Sequence, residues 1–67
     1  MALCPVCASM SLRREVDPAT ARMNGWCVDY EGKTYCEDSE EHHRMFQQDP
    51  EKYLREASDK GIMPEAA

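Results

Sequence analysis

Long apolar runs are absent from this 67-residue chain, and glycine and aromatic residues are scarce. No stretch approaches the ~20 consecutive apolar residues that a transmembrane helix needs. The opening MALCPVCASM has neither the basic region nor the long apolar core of a signal peptide. We therefore expect a cytoplasmic protein that does not insert into a membrane.

Basic residues are also in the minority. The chain has 13 acidic residues against 8 Lys and Arg, for a formal net charge of −5. No basic stripe is interleaved with aromatic residues, so the chain should repel phosphate groups. This charge pattern argues against a nucleic-acid partner and against binding to an anionic membrane surface.

The chain is short enough that we expect one domain, residues 1–60, followed by a frayed tail, residues 61–67. A chain of this length buries too little apolar surface to offset its conformational entropy without a disulfide or a metal ion. Four cysteines are present. In a reducing compartment they are more typical of metal ligands or redox thiols than of a disulfide framework.

The amino-terminal third contains one clear motif. In CPVC, Cys4 and Cys7 flank a proline at a spacing that predicts a tight turn with both sulfurs facing one point, as in a metal knuckle. The following SLRREVDPATARMNG is expected to be a loop. Within it, Leu12 and Val16 suit a short strand, and Asp17-Pro18 suits the start of a helical turn.

The segment WCVDYEGKTYC predicts a β-hairpin that turns at Glu31-Gly32. A two-residue turn would place Cys27 opposite Cys36, on the face away from Trp26. Because Glu tolerates positive φ poorly, a bulged turn that shifts the pairing by one residue is the alternative. Three alternatives stay open for Cys27 and Cys36: free buried thiols, a second half-site or, if the register is right, a cross-strand disulfide. A core face is expected to contain Trp26, Val28, Tyr30 and Tyr35.

Two helices follow the hairpin. Asp38 or Ser39 can cap the first, whose early glutamates suit the positive end of the helix dipole. The acidic EDSEE stretch is most simply a solvated face. The second helix has clear start and stop signals, with Asp49 as the cap, Pro50 in the first turn and Gly61 after the end.

The start of the first of these helices offers ligands to complement the CPVC thiols. Residues four apart lie on the same side of a helix, so Asp38 and His42 can converge on one ion. Cys36 is the alternative to Asp38, because a thiolate is the softer ligand. His43 should face elsewhere and be solvated. The predicted metal site is therefore Cys4, Cys7, Asp38 and His42.

The order of knuckle, hairpin and helix resembles the YHS/TRASH family of small treble-clef metal-binding domains. The segments CPVCASM, YEGKTY, MF and DPEKYL stand at the matching places, so the resemblance covers residues 4–54. Aligned backwards from Phe46, the family's two helix-start cysteines fall on Asp38 and His42, and its paired aromatics fall on Cys36 and Glu37. Both of these cysteines are therefore replaced in this chain.

The resemblance implies a small α+β fold, stabilised by a metal ion, with a second carboxyl-terminal helix. It also implies metal handling or delivery, or an accessory role beside a larger partner such as a metal-transport or monooxygenase system. Zinc is the expected ion, with iron or copper as alternatives. Catalysis is not expected, because four protein ligands leave no position for an activated water.

Two other functions stay open at this stage. One is a structural interaction module in which the metal is only a staple. The other is a thiol redox or iron protein. A glutaredoxin-type redox fold is disfavoured because it needs a strand before the CPVC motif, and only three residues precede Cys4. An iron centre is disfavoured because Cys27 and Cys36 would have to leave opposite strands of the hairpin and both reach the knuckle.

Overall fold

The computed structural model describes residues 2–64 and shows a small α+β fold. Its eight elements follow in this order: β1 (Ala2–Leu3), α1 (Pro5–Ser9), β2 (Glu15–Val16), α2 (Pro18–Met23), β3 (Cys27–Tyr30), β4 (Lys33–Cys36), α3 (Glu40–Gln48) and α4 (Pro50–Asp59). The strands form two separate antiparallel pairs, β1 with β2 and β3 with β4.

The first strand pair encloses the CPVC motif. Ala2 lies opposite Val16 and Leu3 opposite Glu15, so the chain leaves β1 directly into α1 and returns along β2. The backbone N–H of Cys4 extends this pairing by donating to the carbonyl of Arg14 at 3.1 Å. The start of α1 is therefore held in place by β2.

The segment between the CPVC motif and the hairpin contains a helix as well as β2. Asp17 caps α2 by accepting a hydrogen bond from the backbone N–H of Ala19, and Pro18 occupies the first turn. The prediction of a loop is therefore wrong over Pro18–Met23. The Asp-Pro start signal was correct, and α2 is retained because Ala21 is buried against the main core.

The hairpin has the register that a two-residue turn predicts. Tyr30 pairs with Lys33 and Cys27 with Cys36, and the turn residues Glu31 and Gly32 have φ of 50° and 79°. Positive φ at both central residues matches the turn type that best fits the twist of paired strands. The pairing of Cys27 with Cys36 is thus confirmed, and Glu31 adopts the φ that its residue type disfavours.

The caps of the two long helices follow the sequence signals. Ser39 caps α3, and Asp49 caps α4 with Pro50 behind it. Beyond α4, Gly61 has φ of 73° and its N–H donates to the Ser58 carbonyl. The N–H of Ile62 donates to the carbonyl of Ala57, which completes a Schellman motif.

The segment expected to fray, residues 61–67, is held at its start. Ile62 is 4% exposed and packs with Ala8 and Ala57 in a small cluster between α1 and α4. An apolar residue directly after a Schellman motif commonly packs back onto the helix it follows. Residues 65–67 of the predicted tail lie outside the described residues.

The main core lies where α1, α3 and the second hairpin meet. Phe46 is fully buried and packs against Tyr35, with ring centroids 5.6 Å apart. Of the predicted core face, Tyr35 is buried, and Trp26, Val28 and Tyr30 are half-buried against this cluster. The carbonyl of Ser9 at the end of α1 accepts a 2.6 Å hydrogen bond from Lys60 Nζ, which fixes α1 onto α4.

Candidate metal centre

The two CPVC thiols lie at the start of α1 and point inward. Cys4 is the N-cap, Pro5 begins the helix, and Cys7 lies one turn further on. Cys4 is 0% exposed and Cys7 1%. The backbone N–H of Cys7 lies 3.4 Å from Sγ of Cys4 and donates to it. Such a donor stabilises negative charge on the sulfur, as a metal-bound thiolate requires.

Asp38 and His42 approach the thiols from the start of α3. Ser39 serves as the N-cap, since its side-chain oxygen accepts from the backbone N–H of His42 at 3.2 Å. Asp38 lies one residue before the cap, so its carboxylate has no capping role and turns towards the thiols. His42 lies on the first turn of α3 and faces the same point.

The ligand atoms of Cys4, Cys7, Asp38 and His42, here called the Cys/Asp/His cluster, all lie within 4.8 Å of one another. The Cys4 thiol lies 3.6 Å from Asp38 Oδ1, and the Cys7 thiol lies 3.3 Å from Oδ2. Nδ1 of His42 lies 3.8 Å from Sγ of Cys4 and 3.6 Å from Sγ of Cys7. The shortest contact joins His42 Nδ1 to Asp38 Oδ1, at 2.6 Å.

These distances fit the edges of a tetrahedral site. With Zn–S bonds of about 2.3 Å and Zn–N or Zn–O bonds of about 2.1 Å, an edge that joins sulfur to nitrogen or oxygen is about 3.6 Å long. The four contacts from the two sulfurs to Asp38 and His42 lie between 3.3 and 3.8 Å, and the two thiols contact different oxygens of the Asp38 carboxylate. The His42–Asp38 contact is shorter than a tetrahedral edge because it is a hydrogen bond. An ion would replace the proton between these two atoms.

The electrostatics of the cluster differ between its thiols and its carboxylate. Burial raises the pKa of both Cys4 and Cys7, because a thiolate without a cation loses its solvation there. Desolvation also acts to raise the pKa of Asp38, but hydrogen bonds from His42 and Cys7 outweigh it and lower that pKa. The site without a metal ion therefore pairs neutral thiols with an ionised carboxylate.

The second cysteine pair lies apart from this cluster. Cys27 and Cys36 face each other across the hairpin with Cα atoms 4.1 Å apart, and they form a disulfide. Of the three possibilities open at the sequence level, the cross-strand bond is the one found. Cys36, considered as an alternative ligand to Asp38, has its sulfur engaged with Cys27. The bond contrasts with the predicted reducing compartment, in which disulfides are rare.

Glu37 and His43 form a buried pair that sequence reasoning missed. Glu37 is 0% exposed, although EDSEE was expected to be a solvated face. His43 Nδ1 lies 3.2 Å from Glu37 Oε1, with 14% of the His43 side chain exposed, so the expected solvated histidine is largely covered. His43 is not a member of the Cys/Asp/His cluster, in agreement with the prediction. The resemblance predicted from the motifs offered one signal, because it would place an aromatic, a typically buried residue type, at position 37.

The free carboxylate oxygen of Glu37 has an unusual environment. Its Oε2 is buried and has no hydrogen-bond partner among residues 2–64. Burial, with the charge of Asp38 as a smaller contribution, raises the pKa of Glu37 to about 8. Buried polar atoms are nearly always hydrogen-bonded in native proteins.

Within residues 2–64, no helix combines the length and apolar character that a membrane span requires.

Compared with protein-family models, with curated proteins and with solved structures, the chain matches none of them. The family resemblance therefore depends on the motif residues alone and stays a prediction.

Proposed function

We propose that this chain is a zinc-binding domain of the YHS/TRASH type that acts in metal handling or as an accessory module of a larger metalloenzyme system. The convergence of the Cys/Asp/His cluster carries this proposal. Cys4 with Cys7 and Asp38 with His42 come from two segments more than 30 residues apart, and they present sulfur, oxygen and nitrogen atoms within 4.8 Å of one another.

The chemistry of the donors favours zinc. Thiolate and imidazole are ligands that zinc prefers, and a carboxylate is the third type it accepts in tetrahedral sites. Two thiolates and one carboxylate bring three negative charges, so a divalent ion leaves the site with a net charge of about −1. Iron and copper are the alternatives that the same donors can bind.

The arrangement of elements supports a treble-clef-like interpretation. In the proposed fold, the knuckle at the start of α1 supplies two ligands, and the start of α3 supplies the other two. The β3–β4 hairpin lies between these two segments in the chain. Asp38 and His42 then take the places at which the family has cysteines. A carboxylate and an imidazole bind a borderline ion less tightly than two thiolates do, which suits an ion that is passed on.

The test is cobalt substitution of the full chain. We expect one Co²⁺ per chain, with a tetrahedral visible spectrum and sulfur charge-transfer bands of two-thiolate intensity. Cys4→Ser should abolish these bands, and Cys36→Ser should leave them unchanged. An octahedral spectrum without charge-transfer bands would refute the site, and bands lost on Cys36→Ser would move a ligand to the hairpin.

A structural interaction module, in which the ion is only a staple, is the second candidate. It is favoured by the burial of both thiols, at 0% and 1% exposure, since a buried ion is slow to leave. Exchange of bound zinc for isotopically labelled zinc separates the two. A carrier exchanges faster than the chain unfolds, whereas a staple exchanges at the unfolding rate.

A further inference from the structure

Two side-chain contacts lie next to each other where the chain enters α3. Asp38 and His42 form the shorter one, with 2.6 Å between Asp38 Oδ1 and His42 Nδ1, and both residues belong to the Cys/Asp/His cluster. Their neighbours in the chain form the other, with 3.2 Å between Oε1 of Glu37 and Nδ1 of His43. The residue before one proposed ligand is therefore hydrogen-bonded to the residue after the other.

Glu37 also connects this part of the chain to the second hairpin. Its backbone N–H donates to the carbonyl of Trp26 at 2.9 Å, which continues the pairing of β3 with β4 by one residue. Its side chain is fully buried and reaches His43 in the first turn of α3. Glu37 thus joins the end of the hairpin, through its main chain, to the start of α3, through its side chain.

This connection limits how Asp38 and His42 can be oriented. Glu37 precedes Asp38, and Ser39 follows it as the N-cap that accepts from the backbone N–H of His42 at 3.2 Å. Neighbouring residues of a helix lie about 100° apart around its axis, so His42 and His43 extend from different sides of the first turn. Contacts on two sides of the turn prevent α3 from rotating about its axis, which a contact on one side alone would permit.

Stability alone does not explain a polar pair at this place. Oε2 of Glu37 has no hydrogen-bond partner among residues 2–64, and an apolar side chain of similar volume would avoid that cost. A hydrogen bond is directional, however, whereas apolar packing is not. The Glu37–His43 bond forms whichever group carries the proton, because Oε1 either accepts from Nδ1–H or, as part of a carboxylic acid, donates to Nδ1. Its orienting effect therefore does not depend on the ionisation of Glu37.

We propose that Glu37 and His43 are positioning residues of the metal centre, whose hydrogen bond sets the orientation of Asp38 and His42 towards the two thiols. This inference rests on the proposed metal-binding function and deepens it. Residues that orient metal ligands without binding the ion themselves typically change metal affinity by about 10–100-fold. Because Glu37 and His43 act through the neighbouring residues and not by contact with the ligand atoms, we expect an effect of about tenfold.

Cobalt binding by the full chain separates orientation from stability. Glu37→Leu removes the hydrogen bond and keeps a side chain of similar volume. We expect it to bind Co²⁺ about tenfold more weakly and, at saturation, to show shifted and weaker visible bands. The sulfur charge-transfer bands should remain, because Cys4 and Cys7 are held at the start of α1. His43→Phe removes the other end of the bond and should produce the same changes.

Two further variants provide the matched comparisons. Glu37→Gln keeps a group that can hydrogen-bond to Nδ1 of His43, so it should restore the visible bands of the unaltered chain. Ile62→Val lies in the separate cluster with Ala8 and Ala57 and removes one buried methylene. It should weaken binding by about two- to tenfold through the coupling of metal binding to folding, with an unchanged spectrum at saturation. This control shows what a loss of stability alone does.

The double variant of Glu37→Leu with His43→Phe tests whether the two residues act as a pair. It should bind cobalt no more weakly than the weaker single variant, because the second substitution removes a bond that is already lost. Additive losses, unchanged visible bands in both single variants, or bands in Glu37→Gln that shift as far as in Glu37→Leu would overturn the positioning role and leave the metal site intact.

The charge-transfer bands distinguish the remaining outcomes. If Glu37→Leu loses them at saturating cobalt, the pair maintains the fold and does not orient the ligands, which would also overturn the inference. If the unaltered chain itself shows no tetrahedral cobalt spectrum, the proposed metal site is refuted, and the positioning role with it.

Discussion

Asp38 shows how one residue can be assigned to the wrong task from its position alone. An aspartate before a helix is usually an N-cap, but here Ser39 takes the cap. The carboxylate of Asp38 is free to accept hydrogen bonds from His42 and from both thiols of the cluster. The neighbouring serine thus makes the ligand role of Asp38 available.

Substitution of Asp38 tests that role. Asp38→Ala should loosen zinc by at least about tenfold in competition with a chelator, because it removes one of four ligands. Cys36→Ser should change the affinity far less, since the sulfur of Cys36 is bonded to Cys27. Asp59→Ala, an exposed substitution in α4, is the control for net charge. The reverse order of Asp38→Ala and Cys36→Ser would make Cys36 the ligand.

The raised pKa values of Cys4 and Cys7 predict the proton balance of metal binding. Both thiols are protonated at neutral pH without a metal ion and must ionise to ligate, whereas the lowered pKa of Asp38 leaves that group ionised throughout. Zinc binding should therefore release about two protons per chain from the thiols, and affinity should fall as pH falls. Calorimetry in buffers of different ionisation enthalpy counts these protons. A count near zero would contradict thiolate ligation.

At the scale of elements, the short helix α1 has only 5 residues, so the hydrogen bonds at its two ends matter more for its stability than those within it. Its carboxyl end is a Schellman motif, in which Ser11 has φ of 66° and the N–H of Leu12 donates to the Cys7 carbonyl. The same motif ends α4, with Gly61 at the left-handed position. One helix thus ends with a strained residue and the other with a residue suited to that φ.

These two ends predict opposite effects of substitution. Ser11→Gly should raise the free energy of unfolding by about 0.5–1 kcal/mol, because glycine adopts positive φ without strain. Gly61→Ala should lower it by about 1 kcal/mol, and purely through backbone strain, since a Cβ there meets nothing within 4 Å. Urea unfolding of the zinc-loaded protein measures both. Destabilisation by Ser11→Gly would mean that the Ser11 side chain has a stabilising contact.

The hairpin shows how one turn decides a covalent bond. The turn at Glu31 and Gly32 sets Cys27 against Cys36, whereas a shift of one residue would have turned one cysteine to the other face. Each strand has only 4 residues, so the disulfide ties a hairpin that would be marginal alone. The disulfide between Cys27 and Cys36 is therefore explained by stabilisation of the hairpin, without a role for either residue in the Cys/Asp/His cluster.

At the scale of the whole molecule, two distant segments are joined by the proposed metal site. The core is small, and its largest fully buried side chain is Phe46. The Cys/Asp/His cluster spans from residue 4 to residue 42, so a metal ion there would close most of the chain into a loop. The free energy of metal binding then contributes directly to folding.

Stability should therefore depend on zinc concentration. A free zinc concentration of 1,000 Kd should add about 4 kcal/mol to the free energy of unfolding, and Tm should rise with each further addition. Removal of zinc with a chelator should unfold the chain, as followed by circular dichroism. Cys7→Ser serves as the control, because it should be unfolded with or without zinc. A metal-free chain with the same Tm as the loaded one would contradict a stabilising ion.

The sequence alone determined those features that depend on local chemistry. The caps of α4, the two-residue turn and the knuckle spacing are properties of a few adjacent residues, so their positions were predictable. The pairing of CPVC with Asp38 and His42 was also predictable, since the motif order and ligand types narrow the choice. Helix α2 was missed because a six-residue helix is marginal by itself and is retained only by the burial of Ala21.

Only the tertiary structure decided which of the remaining polar residues are buried. Glu37 and His43 were expected to be solvated, yet Glu37 is 0% exposed and the His43 side chain 14% exposed, with Nδ1 of His43 3.2 Å from Oε1 of Glu37. The choice between a free Cys36 and a disulfide likewise depended on the two strands meeting in one register. The physical reason is the same in both cases: burial and cross-strand distance depend on segments far apart in the chain, and no local pattern encodes them.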